Sequence, residues 1–340
     1  MKILLLLALL LAACNPRKIE LQGAGASFPY PLYSKMFEEY YKEFNVGINY
    51  QAIGSGGGIR QLLAKTVDFG ASDVFMSDKE LKESPNILHI PICLGAVVIT
   101  YNLPGNPKIK LTPDVIADIF LGKIKKWNDK RIKEINPDIA LPNKDIIVIR
   151  RSDASGTTFI FTDYLSKISK DWEKNIGKGS MVNWKIGLGG KGNAGVTSLI
   201  KQTNGAIGYI ELTYAMEQNL PYAVIKNKKG NFIEPCISSV SLAGDIEIPD
   251  DTRTSIVDTD NPFGYSISGF TWILVYKEQG EEKKGKELAK LLWWMTHKGQ
   301  EYTKPLHYAS LPTLVVKKAE VIISLISYNG RPLLKKGANF

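Results

Sequence analysis

Histidine and cysteine are scarce in this chain, with three of each among 340 residues. His89, His297 and His307 lie far apart and none falls in an H-E-x-x-H pattern, so a zinc-hydrolase helix is excluded. Each reads as a structural or surface histidine rather than a ligand. Cys14, Cys93 and Cys236 have neither the spacing of a zinc site nor the density of a disulfide scaffold. Nucleotide motifs also fail. A P-loop needs Gly-Lys followed by Ser or Thr, and "GLGGKGNAG" places Gly192 after Lys191. The dinucleotide fingerprint needs a third glycine where "GSGGGI" carries Ile59. No G-x-S-x-G elbow is present. The chain therefore offers no catalytic nucleophile or general base, no metal site and no need for a cofactor. The formal net charge is +9, but lysine dominates and is scattered. No basic run interleaved with aromatics occurs, so a solvated lysine-rich surface is expected and no nucleic-acid partner.

What is present begins at the N-terminus. "MKILLLLALLLAAC" has one cation, an apolar run and then small residues, the layout of a secretory signal. It ends in Leu11-Ala12-Ala13-Cys14, which looks like a bacterial lipobox. Residues 1–13 are expected to be a lipoprotein-type signal peptide, with Cys14 lipidated and tethering the exported chain to a membrane. After this segment no run reaches the roughly 18 apolar residues that a membrane helix needs. The remaining composition, 44% hydrophobic and 23% charged, is that of a globular chain with a sizeable core. Cys93 and Cys236 could pair in an oxidising compartment or stay free, and the residues leave both open.

Strand and helix patterns alternate along the chain, which argues for α/β architecture. "NVGINYQAI", "LGAVVITYN", "DIIVIRR", "GAIGYIE" and "GFTWILVYK" read as strands. "GGIRQLLAKT", "GTTFIFTDYLSKI", "TYAMEQN" and "GKELAKLLWWMTHKG" read as helices. "TPDVIADIFLGK" opens with an N-cap threonine and Pro113 at the first helical position. Residues 227–264 are rich in Asp, Pro, Ser and Gly and read as loops and irregular strands.

Three stretches share one layout, a small polar loop opening a helix. They are "GAGASFPYPLY", "GSGGGIRQLLAK" and "RRSDASGTTFIFTDYL". A helix N-terminus presents unpaired N–H groups and partial positive charge, glycine lets an oxyanion approach, and Ser or Thr adds hydroxyl donors. One such stretch alone is an N-cap. Three in one chain, one of them preceded by Arg150 and Arg151, point to an oxyanion ligand and to binding rather than catalysis.

These residues together carry a family resemblance. "GAGASFPYPLY", "YQAIGSGGGIRQLLAKTVDFGASD", "IFLGKIKKWND", "VIRRSDASGTTFIFTDYL", "IGLGGKGNAGV", "GAIGYIE" and "YASLP", in this order, resemble the PstS family of phosphate-binding proteins. Its members are the extracytoplasmic receptors of bacterial phosphate ABC importers. The resemblance runs from about residue 21 to the C-terminus and is thin over 227–264. It implies a type II periplasmic-binding-protein fold: two lobes, two mixed sheets flanked by helices, and a ligand cleft between them. The implied lobes are 15–95 with 266–340, and 96–265. It further implies a monomer that captures inorganic phosphate by hinge closure and delivers it to membrane permease subunits.

Carried over by residue, the implied phosphate ligands are Ser27 (hydroxyl), Phe28 (N–H), Ser55 (hydroxyl), Asp73 (acceptor), Arg151 (charged donor) and Ser155, Gly156 and Thr157 at a helix start. Asp153 is implied to orient Arg151. Two positions depart from the family pattern: Ser27 stands where Thr is frequent, and Gly56 where a second Ser is frequent. Neither removes a hydroxyl from the set. Read by itself, Asp73 in "ASDVFMSD" is a turn cap. Within the resemblance it is a test for a proton, because phosphate carries one at neutral pH and sulfate does not. A site built around a required hydrogen bond rejects analogues lacking it by roughly 10⁴–10⁵. The alternatives are the same fold binding sulfate, molybdate or a phosphonate, and an exported phosphohydrolase.

Overall fold

The structure, a computed structural model, describes residues 19–334. The expected signal peptide and Cys14 lie outside the described residues. The chain opens β1(Glu20–Gly25), α1(Tyr30–Phe44), β2(Gly47–Gln51), α2(Ser55–Leu63), β3(Phe69–Ser72), α3(Asp78–Glu83), β4(Ile87–Tyr101) and β5(Lys110–Leu111). It continues α4(Pro113–Phe120), α5(Lys130–Ile135), β6(Ile147–Arg151), α6(Gly156–Ile168), α7(Lys170–Asn175), β7(Leu188–Gly190), α8(Gly192–Gln202) and β8(Ala206–Glu211). Then come α9(Leu212–Glu217), β9(Val224–Lys226), β10(Phe232–Ile233), α10(Ile237–Ala243), β11(Ser268–Tyr276), α11(Glu282–Thr296) and, after two short 3-10 turns, α12(Thr313–Ser324). Among the described residues no helix is long and apolar enough to cross a membrane.

The strand order is β2-β1-β3-β11-β4-β8-β6-β7. The two mixed sheets expected from the sequence are two halves of this ladder, joined through β4. Residues Ile87–Ala96 of β4 pair antiparallel with β11, and Val97–Tyr101 pair antiparallel with β8. In one half β2, β1 and β3 run parallel; in the other β8, β6 and β7 run parallel. A strand buried along almost its whole length, as β4 is, explains its near-continuous apolar sequence. Pro91 sits opposite a register shift between Thr271 and Trp272, where its missing N–H does least harm.

Helices cover the ladder by burying one stripe each. In α1, Leu32, Tyr33, Met36, Phe37 and Tyr40 recur at helical spacing and are buried. In α6 the buried set is wider, from Gly156 through Leu165 with only Phe159 left half-buried, because the helix packs between other elements rather than at the surface. Both halves of the ladder share one continuous apolar cluster.

Two details differ from the sequence expectations, and one that they left open is decided. Residues 227–264 contain a helix, α10, with Val240 and Ala243 buried. Its serine-rich sequence has weak helix propensity, so tertiary burial decides it. Thr112 stands at the N-cap of α4, but its side chain makes no cap hydrogen bond. Cys93 and Cys236 are both free thiols, the first buried in β4 and the second exposed. The disulfide left open by the sequence is therefore not formed here.

Candidate functional site

The three polar helix starts converge where the two halves of the ladder meet. After β1 the chain passes through Ser27 and Phe28 into α1. After β2 it passes through Gly54 into Ser55, the first residue of α2. Three glycines in the opening turn of a helix are unfavourable by propensity, and close approach explains Gly58. A Cβ there would lie 2.5 Å from the Ala24 carbonyl oxygen and 2.6 Å from Gly25 Cα. From the other half, β6 ends at Arg151 and leads through Asp153 to Ser155, which caps α6 by accepting from the Thr158 N–H at 3.1 Å.

Side chains alternate along a strand, so the two arginines separate. Arg151 is buried, whereas Arg150 is half-buried. Arg151 Nε donates to Asp153 Oδ1 at 2.8 Å and Nη2 to Oδ2 at 2.5 Å. The third nitrogen, Nη1, reaches Thr157 Oγ1 at 3.2 Å. A bidentate pair fixes the guanidinium plane. Burial alone would raise the Asp153 carboxyl, but the Arg151 hydrogen bonds and charge outweigh it, and it lies below its usual value.

Asp73 sits opposite, fully enclosed at the end of β3. Its backbone N–H donates to Ser55 Oγ at 3.1 Å, and Thr271 Oγ1 donates to its Oδ1 at 2.8 Å. The Ser55 hydroxyl lies 3.4 Å from Oδ2. Burial pushes the carboxyl up to about 7, against the Thr271 hydrogen bond, the Arg151 charge and the Ser55 hydrogen bond, which all pull it down. A Cβ placed on Gly156 would lie 2.4 Å from Asp73 Oδ2 and 2.5 Å from Ser55 Oγ. The mouth of α6 is thus in contact with the acid and the hydroxyl across from it.

Further contacts join the two halves here. The Gly56 N–H donates to the Ala154 carbonyl at 3.0 Å, and Tyr214 Oη donates to the Ser27 carbonyl at 2.6 Å. Asn193 N–H and Nδ2 each donate to Ser27 Oγ at 3.1 Å. Phe28 is buried, its ring edge-on to Tyr308, whose hydroxyl donates to the Phe28 carbonyl at 2.7 Å. The arrangement, cationic and hydroxyl-rich on one side and with one poised carboxyl on the other, can hold a small tetrahedral oxyanion and test it for a proton.

Among known proteins, the PBP superfamily domain matches residues 12–297. The phosphate-binding protein PstS of Haemophilus influenzae is 44% identical over 299 residues, covering 86% of this chain and 89% of that protein. The chain belongs to the PstS family. The PstS of Methanocaldococcus jannaschii is 40% identical over 334 residues, 89% of this chain and 85% of that one. The fold of this PstS-family chain also matches a crystal structure of a phosphate-binding protein from Stenotrophomonas maltophilia, with a TM-score of 0.67 at 16% identity over 88% of this chain and 92% of that one.

Within this PstS-family chain, Ser27, Ser55, Asp73, Arg151, Asp153, Ser155, Gly156 and Thr157 form one cluster, with Phe28 beside it. Three residues of the cluster escape a reading of the sequence. Asn193 touches both Ser27 and Thr157, the latter through Nδ2 at 3.1 Å. It stands in "GGKGNAG", a glycine loop opening a helix, the same layout as the three stretches already singled out. Thr271 holds Asp73, and its one signal is a lone hydroxyl inside the apolar run "GFTWILVY". Tyr209 Oη meets Thr158 Oγ1 at 2.7 Å and accepts from the Arg151 N–H at 3.2 Å, a support that no local pattern announces.

Proposed function

We propose that this chain is a receptor for inorganic phosphate that captures the anion between two closing lobes and hands it to an ABC import permease. The observation that carries this reading is the placement of Asp73, a buried carboxyl set among hydrogen-bond donors. A pure anion trap would have no use for it, and a trap that admits only protonated oxyanions needs it. Ser27, Phe28 N–H, Ser55, Arg151, Ser155, Gly156 and Thr157 supply the donors, Asp73 accepts the ligand proton, and Asp153 orients Arg151. Phosphate is the ligand for which the relatives are named, which favours it over sulfate, molybdate or a phosphonate.

The lobes in this reading are 15–95 with 266–340, and 96–265. The change of β4 partner between Ala96 and Val97 supports that boundary. Closure brings donors from both lobes onto one anion, so the liganded closed state gains contacts that an open state lacks. The chain acts as a monomeric binding protein without catalytic residues, exported and held to the membrane through lipid on Cys14. Isothermal calorimetry tests the reading. Heat with phosphate and none with sulfate at matched concentration is expected; no heat with phosphate, or equal competition by sulfate, overturns it.

A further inference from the structure

Asn193 is fully buried, and each polar group of its side chain is taken up by protein. Its Oδ1 accepts from the Glu211 N–H at 3.0 Å, which settles the orientation of the amide. Its Nδ2 then carries two protons, one donated to Ser27 Oγ and the other to Thr157 Oγ1, both at 3.1 Å. As the second residue of α8, it has a backbone N–H with no partner inside the helix, and this also donates to Ser27 Oγ, at 3.1 Å. Thr157 Oγ1 receives a second donor from Arg151 Nη1 at 3.2 Å.

A hydroxyl has one proton and two lone pairs. Two protein donors stand on the Ser27 oxygen and two on the Thr157 oxygen, so the lone pairs of both are occupied. What each hydroxyl has left to offer is its proton, and among the described residues neither proton is given to a protein acceptor. We propose that Asn193 is a positioning residue that makes the Ser27 and Thr157 hydroxyls, one from each half of the ladder, obligate donors toward the bound anion. The proposal rests on the phosphate reading of the same site.

The physical advantage is preorganisation. A serine or threonine hydroxyl facing an anion can present either a proton or a lone pair, and only the first attracts. Filling the lone pairs beforehand removes the repulsive orientations and their ordering cost. One amide does this for hydroxyls from both sides of the cleft, so the arrangement is complete only when the two halves are together.

The test is a double-mutant cycle read by calorimetry with inorganic phosphate on the full chain. Asn193→Ala is expected to weaken phosphate binding by about tenfold or more. In a Ser27→Ala/Thr157→Val background the same substitution is expected to change the dissociation constant by less than about threefold, because the hydroxyls it would aim are gone. An equal loss in both backgrounds overturns the proposal and makes Asn193 a packing residue. Asn193→Asp provides a second arm that keeps shape and an acceptor for the Glu211 N–H. It removes donors at pH 8 and regains one as the carboxyl protonates, so phosphate binding relative to wild type at the same pH is expected to fail at pH 8 and to recover in part at pH 5. Wild-type affinity for Asn193→Asp at pH 8 also overturns the proposal. Wild-type protein giving no heat with phosphate would instead overturn the reading of the site itself, and the proposal with it.

Discussion

Thr271 donates to Asp73 across 2.8 Å, from the middle of β11 to the end of β3. The bond occupies Oδ1 and leaves Oδ2 facing Ser55 and the mouth of α6. It therefore divides the carboxyl into an oxygen held by Thr271 and a second one turned toward Ser55 and α6. Both residues are buried, and away from water an unpaired polar atom is costly and a paired one is rigid.

Asp73→Asn should convert that second oxygen into a donor. Thr271 still requires an acceptor, so the amide oxygen stays toward it and the NH₂ turns to the anion. A hydrogen bond to a charged group contributes about 1.5–3 kcal/mol, which corresponds to roughly 10- to 150-fold in affinity. Phosphate binding is expected to weaken by that factor, and sulfate, which the proposed site rejects, should begin to compete. Competition calorimetry measures both. A variant that still rejects sulfate would remove Asp73 from its role as proton acceptor.

The same carboxyl gives a signed pH dependence of stability. Its folded-state value of about 7 lies above the ordinary 3.8. Between those values the folded chain keeps a proton that the unfolded chain has released. The contribution is fully present below the unfolded value and is lost as pH rises through about 7. Ligand-free protein is thus expected to lose melting temperature between pH 5 and pH 8, and Asp73→Asn should flatten that slope. The difference between the two melting curves isolates Asp73 from other titrating groups, such as Glu211, which burial also raises. Parallel curves would contradict the assignment.

On the proposed reading, in which the lobes are open without ligand, Gly156→Ala should separate folding from closure. The added methyl would meet Asp73 Oδ2 at 2.4 Å and Ser55 Oγ at 2.5 Å, both across the interface between the halves. Within α6 itself alanine is a better helix former than glycine. Overpacking costs about 1–3 kcal/mol, or roughly 5- to 150-fold in phosphate affinity. The ligand-free melting temperature should hold or rise. Unchanged phosphate affinity would show that the tight approach of Gly156 to Asp73 is not needed for binding.

The short-range devices of this protein are legible in its sequence because they are local. A polar loop, a glycine and a helix start lie within a few residues of each other, and their chemistry follows from backbone N–H groups that any helix leaves unpaired. So "RRSDASGTTF", taken with the two other polar helix starts, reads as a donor array. The choice of Arg151 over Arg150 comes from the family resemblance, because strand alternation separates the two but does not say which face is inside. The α/β alternation is equally visible, as is the strand character of β4, whose apolar run reflects burial on both faces. The helix α10 is not, because serine-rich segments take their conformation from what they pack against.

Only the tertiary structure decided what these devices do together. Side chains far apart in the chain cannot be paired from spacing. Yet Asn193 joins Thr157 to Ser27, which lies 166 residues before it, and Thr271 secures Asp73 across 198 residues. The sequence by itself determined which groups can donate and which can accept, since that is a property of side chains. Which lone pair is already filled, which proton is left over and how far a buried carboxyl is raised depend on neighbours brought in by the fold. In this chain those neighbours turn a set of ordinary helix caps into a site with a defined polarity.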